Sequence, residues 1–177
     1  MAPNPWLKAG GRNNGAPRSR ALEGNCVSMQ GFMFDTNIFN HVLDGRIDLA
    51  SFVGKARFCA THVQLDELSR TSDQNRRTDL LVVFEKVPQD TVPTKTFVLG
   101  TSKLDRADVG EGTLYEKIKW ELDTLNRSKS NNVEDALIAE TVIKNHLTLV
   151  TDDGDLSQIT KQNGGSCLSL KDFLAAL

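Results

Sequence analysis

Short apolar runs alternate with longer stretches in which apolar residues recur every three or four positions. Phe32 to Asp35 reads as a buried strand, and Thr36 or Asn37 caps a helix running to about Leu43. A second helix is expected over Asp48 to Lys55, then a strand over Arg57 to Ala60. Thr61 with Gln64 three residues on forms a capping box for a helix to Arg70. Ser72 or Asp73 opens the next helix, which stops before Pro88. Residues 88–112, with Pro88, Pro93 and three glycines, carry no clear period and stay unassigned. Leu114, Ile118 and Leu122, spaced by four, make Thr113 to Leu125 an amphipathic helix. Asn131 or Asn132 caps a helix from Val133 to Asn145, and Leu147 to Thr151 follows as a strand. A short helix over Asp155 to Lys161, a strand over Ser166 to Leu168 and a terminal helix over Lys171 to Ala176 complete the pattern. Strands alternating with helices predict an α/β fold, a parallel β-sheet flanked by helices on both faces.

Residues 1–28 stand apart. They are rich in Gly, Asn, Pro and Arg and lack apolar periodicity, which predicts a flexible N-terminal extension, with residues 29–177 as one folded domain. The extension has no apolar segment of the kind a secretory signal carries. The charge divides at the same place. Lys8, Arg12, Arg18 and Arg20 face only Glu23 in residues 1–28, a balance of +3, while the remainder carries −5. An acidic body argues against broad nonspecific affinity for nucleic acid but allows a local basic rim. No apolar run approaches the length of a membrane span. Cys26, Cys59 and Cys167 are odd in number and form no CxxC pair, as expected of reduced thiols in a cytoplasmic protein. His41, His62 and His146 show no metal-ligand spacing.

The candidate chemistry lies in acids placed at comparable points. In an open parallel sheet, functional groups gather outside the carboxyl ends of strands. Asp35 ends the first strand, and Asp153 follows the strand LTLVT in the run TDDGD. Glu67 sits on the helix THVQLDELSR, and Asp135 in the first turn of NNVEDALIAETV. Taken singly, Asp35 reads as a helix cap, Glu67 as a solvated helix residue, Asp135 as an acid favoured by the helix dipole, and the Asp-Gly run as a turn.

Taken together and in order, DTNIFN, DELSR, VEDALIAETV and LVTDDGDL resemble the PIN domain, above all its VapC-type toxin ribonucleases. The resemblance spans most of Phe32 to Leu177. It implies a PIN-like nuclease domain whose catalytic residues are Asp35, Glu67, Asp135 and Asp153. Asp35, Asp135 and Asp153 would bind Mg²⁺ or Mn²⁺, with Asn37, Thr151 and Asp155 in support. Asp66, Glu134 and Asp152 stand one residue away from three of these acids and leave the register open. Glu140 departs from the family, which keeps a small residue there, and is expected to face solvent. Clustered carboxylates repel one another, and a hard divalent cation relieves that repulsion.

The implied activity is metal-dependent endoribonuclease cleavage of RNA, leaving a 5′-phosphate and a 3′-hydroxyl, as the toxin of a type II toxin–antitoxin pair. Its implied partners are RNA, a cognate antitoxin and a second copy of the chain in a homodimer. Arg127 and Lys129, adjoining the Asp135 helix, are the expected RNA contacts; Arg57, Arg70, Arg76, Arg77, Lys117 and Lys119 are further basic candidates. Trp120 is expected in the core or at a dimer contact. A rival from another class is an inert PIN-like module that binds RNA or protein. A haloacid-dehalogenase-type phosphatase also places an Asp after its first strand, but needs a second Asp where this chain has Asn37.

Overall fold

The computed structural model describes residues 30–48, 55–87, 89–101 and 112–176. Five strands form one sheet: β1 (Gly31–Phe34), β2 (Arg57–Ala60), β3 (Gln89–Thr91), β4 (Thr148–Val150) and β5 (Ser166–Leu168). They lie in the order β3-β2-β1-β4-β5, and every neighbouring pair is parallel. Among the described residues seven helices accompany them: α1 (Thr36–Leu43), α2 (His62–Ser69), α3 (Gln74–Lys86), α4 (Thr113–Asn126), α5 (Asn132–Lys144), α6 (Gly154–Gln162) and α7 (Leu170–Ala176). The predicted α/β architecture is the observed one.

Alternation along each strand divides the core between two faces. Met33, Cys59, Leu149 and Cys167 point to one side, where α4, α5 and α6 supply Ile118, Leu122, Leu137, Ile138 and Leu156. Phe32, Phe34, Phe58 and Val150 point to the other, against Ile38 and Phe39 of α1, Leu80 of α3 and Phe173 of α7. Four rings meet on that second face. Phe173 lies with its centroid 5.1 Å from Phe32 and 5.3 Å from Phe34, both edge-on, and 6.4 Å from Phe58. The terminal helix is short, yet this aromatic contact fastens it across the central strands.

Several local expectations are corrected. Asp35, not Thr36 or Asn37, occupies the N-cap of α1, its carboxylate accepting from the Thr36 amide. Helix α6 starts one residue early because Asp153 caps it, accepting from the amides of Asp155 and Leu156. The unassigned stretch holds β3, which adds an edge strand beside β2. Glu140 does not face solvent. It is fully buried, its Oε1 accepting from Thr96 Oγ1 at 3.0 Å and paired with Lys144 Nζ at 2.9 Å, so a hydroxyl and a cation compensate its charge. Trp120 is 67% exposed and forms no part of the core. The expected helix over Asp48 to Lys55 falls largely, and residues 1–28 wholly, outside the described residues.

No helix among the described residues is long and apolar enough to cross a membrane. Phe173→Ala should cost about 3–5 kcal/mol, because it empties a fully buried site against three facing rings. Chemical denaturation with circular dichroism would measure the loss.

Candidate active site

The strand order reverses between β1 and β4, the two central neighbours, and the crevice of such a sheet opens at the carboxyl ends there. Asp35 leaves β1 and Asp153 leaves the segment after β4 at that point. The two strand ends are tied together where the Asp35 amide donates to Val150 O at 3.0 Å, and the Thr151 amide carries the pairing on to β5 by donating to Leu168 O at 3.1 Å.

Thr151 organises the centre. Its hydroxyl donates to Asp35 Oδ2 at 2.6 Å and accepts from the Asp153 amide at 2.9 Å and from Asn37 Nδ2 at 3.2 Å. A hydroxyl has one proton and two lone pairs, so its capacity is filled. Asp35 Oδ1 meanwhile accepts from the Thr36 amide at 2.6 Å. The carboxylate of Asp35 is buried and fixed from both sides, acting as helix cap and as candidate ligand at once.

Gln64 sets the second wall. The predicted capping box is present, with Gln64 Oε1 accepting from the Thr61 amide at 2.7 Å. Its Nε2 also donates to Phe34 O at 3.0 Å, which ties the start of α2 to the end of β1. Glu67, one turn along the same helix, is thereby held beside Asp35. Sequence reasoning gave Gln64 only a capping role; its complete burial, invisible in the residue pattern, marks the second one.

Asp135 enters from the first turn of α5, also buried, accepting from Asn131 Nδ2 at 2.9 Å. Asn131 is the residue preceding α5, yet its side chain reaches this acid instead of capping the helix. The four predicted acids therefore face one another closely enough to interact electrically. Burial pushes the Asp135 carboxyl up to about 8, and the charges of Asp35, Glu67, Asp153 and Glu134 push the same way. Burial and the Asp35 charge raise Glu67 to about 6. Asp35 is raised too, chiefly by burial, against the opposing bonds from Thr151 and Thr36.

Neighbouring contacts separate the adjacent acids. Asp152 turns away from the cluster, accepting from the Leu170 amide at 3.0 Å and pairing with His41 Nε2 at 3.2 Å. Glu134 is paired with Arg70 Nη2 at 2.8 Å. Asp153 and Asp155 share Lys129, whose Nζ lies 3.7 Å and 3.1 Å away. Asp35, Glu67 and Asp135 have no ion pair among the described residues. Arg127 is exposed in the left-handed turn after α4.

A divalent cation suits this donor set on two observations. The inner carboxylates repel one another across a buried space, and Glu67 Oε2 is buried with no hydrogen-bond partner among the described residues. No three acids among the described residues stand as a ready-made ligand cage. Mg²⁺ does not require one, since it commonly keeps several waters and takes only one or two carboxylates.

The raised acids make the metal-free protein sensitive to pH. Between the ordinary values of 3.8 and 4.5 and the raised ones of about 8 and about 6, the folded chain binds more protons than the unfolded chain. The cluster's contribution is thus most favourable at the acid end of that window and is lost as pH rises. Asp135→Asn should leave stability near pH 5 almost unchanged but raise it at about pH 8 by on the order of 1–3 kcal/mol. Thermal melts in a chelator would show the divergence.

No family model matches the chain, and no curated protein matches it. Solved structures do. VapBC2 from Rickettsia felis, bound to a DNA fragment from its promoter, is 19% identical; the match covers 79% of this chain and 98% of that one, with a TM-score of 0.52. The PIN domain endonuclease Utp24 is 16% identical, with 79% and 84% covered and a TM-score of 0.50. Likeness at such low identity speaks to architecture alone: the chain has the fold of a PIN domain.

Proposed function

We propose that this protein is a metal-dependent endoribonuclease, the toxin of a type II toxin–antitoxin pair. The observation that carries the reading is the group Asp35, Glu67 and Asp135, three mutually repelling acids at the switch point of a parallel sheet, none with an ion pair among the described residues. Structural frameworks rarely keep buried acids in that state, and sites that bind a hard cation do.

In this reading Asp35, Asp135 and Asp153 hold Mg²⁺ or Mn²⁺, with Glu67 beside them. The bound ion supplies a Lewis acid for the phosphate and a water of lowered pKa. The chain's own part is positional. Thr151 and the Thr36 amide keep both oxygens of Asp35 in place, and Asn37 braces Thr151. With its carboxyl raised to about 8, Asp135 keeps a proton near neutral pH in the metal-free state that a bound cation would favour releasing, while Glu67, raised to about 6, is mostly ionised there. A groove of about 380 Å³ is lined by Thr36, Asn40, Arg70, Ser130 and Asn131, with Glu67 and the Arg70-paired Glu134 in the same wall. Hydroxyls, amides and a guanidinium suit a sugar-phosphate backbone better than an apolar ligand. Lys129 lies beside Asp153 and Asp155, and Arg127 is exposed two residues before it.

RNA as substrate, an antitoxin partner and a homodimer follow from the motif resemblance to VapC-type toxins; the likeness to VapBC2 supports the partner. The inert binding module has one observation in its favour, the lack of a preformed three-acid cage among the described residues. Cleavage decides between them. Single-stranded RNA should be cut in Mn²⁺ or Mg²⁺ and spared in chelator. Asp35→Asn and Asp135→Asn should each lower the rate by about 100-fold or more, and Thr151→Val, which removes only a brace, by about 10- to 100-fold. Metal-independent cutting, or equal rates in all variants, would remove the proposal.

A further inference from the structure

We propose that Lys129 is a built-in cation standing between Asp153 and Asp155 where a second divalent ion would otherwise bind, so that the site holds one metal ion per chain, the one assigned above to Asp35, Asp135 and Asp153. This rests on the metal-dependent reading above.

The acids around the crevice fall into two sets. The outer ones each have a side-chain cation: Arg70 for Glu134, and Lys129 for Asp153 and Asp155 together. The inner three form no ion pair among the described residues, although Glu67 feels the Arg70 charge and Asp135 the Lys129 charge at longer range. Asp153 is further committed, because its Oδ1 accepts from the Asp155 amide at 2.9 Å and the Leu156 amide at 3.0 Å, while Oδ2 is the oxygen facing Lys129. A second ion bridging Asp153 and Asp155 would have to displace the ammonium that already lies between them.

Lysines on a surface often reach a nearby acid by chance, and such pairs contribute little. Lys129 differs in how its backbone is held. Arg127 and Ser128 before it are both left-handed, at φ 60° and 57°, a conformation that non-glycine residues seldom adopt in succession. The turn is fixed from beneath by Asn132, only 1% exposed, which donates through Nδ2 to Asp123 Oδ1 at 2.7 Å and Asn126 Oδ1 at 2.8 Å. The Lys129 amide donates to Asn126 Oδ1 at 3.3 Å, and its carbonyl accepts from the Asn132 amide at 3.2 Å. Both backbone groups of Lys129 are thus anchored to one buried amide network, and a strained turn is maintained at the place that delivers its side chain to Asp153 and Asp155.

Metal counting tests the idea without RNA. The full chain, stripped of metal, is titrated with Mn²⁺ and bound ions are counted by equilibrium dialysis and by electron paramagnetic resonance. The wild type should take one ion. Lys129→Met, which keeps the aliphatic stem without the charge, should take two, with the spin coupling of neighbouring Mn²⁺ ions. Adding Asp155→Asn to Lys129→Met should return the count to one. Should Lys129→Met fold poorly by circular dichroism, Lys129→Gln serves in its place. A wild type binding two ions or none, or a charge-removing variant that still binds only one, overturns the proposal. So does a variant whose sole change is weaker RNA binding, which would make Lys129 a substrate contact. The nuclease reading fails separately: a wild type that binds one Mn²⁺ but leaves RNA intact keeps this inference and loses that one.

Discussion

Repulsion among Asp35, Glu67 and Asp135 is the constraint on which the rest of the site depends. Three carboxylates brought to a buried edge without a countercharge cost free energy whether they ionise or take up protons. The fold bears this cost with bonds that do not neutralise charge. Thr151 and the Thr36 amide direct hydrogen bonds at Asp35, Asn131 at Asp135, and Gln64 fixes the helix that carries Glu67. Acids one step further out are treated differently: Glu134 and the Asp153–Asp155 pair each meet a cation. A framework able to place Arg70 and Lys129 so near has left the centre without an ion pair among the described residues, which is the arrangement the proposed cation site would require.

Stability and chemistry are separated in space by the sheet itself. The aromatic face, where Phe173 packs on Phe32, Phe34 and Phe58, and the aliphatic face beneath α4 and α5 hold the strands in parallel register. Register then decides which side chains leave the sheet together. Phe34 pairs with Val150, so the residues that follow them, Asp35 and Thr151, emerge side by side although 116 positions apart in sequence. A shift of one residue in that pairing would break the contact and send the acid to another face.

Much of this was legible beforehand because it depends on local chemistry. Four of the five strands and the α2 capping box follow from spacing and residue type, whereas the grouping of the four acids came from the motif resemblance. What the sequence could not carry was the difference between neighbours of equal composition. Asp152 and Asp153 are the same residue; only the Leu170 amide and His41 draw the first away, and both are contacts of tertiary origin. Glu140 looked like a solvent-facing charge because its partner Thr96 lies in a stretch with no readable period. Trp120 was expected in the core or at a dimer contact; Tyr115, Ile118 and Leu122 of that helix fill the core without it, and its exposure leaves only the second.

The capping and the proposed functional readings of the acids are compatible rather than opposed. Asp35 caps α1 and Asp153 caps α6, as an isolated Asp would be expected to do, and both still face the crevice. A cap uses lone pairs on a carboxylate without cancelling its charge, and it fixes the side chain's direction at the start of a helix. Helices beginning at the carboxyl ends of parallel strands therefore deliver oriented acids to the switch point as a consequence of ordinary capping. In this fold the step from a structural cap to the proposed cation ligand would need only convergence of several such helices, which the strand order β3-β2-β1-β4-β5 provides.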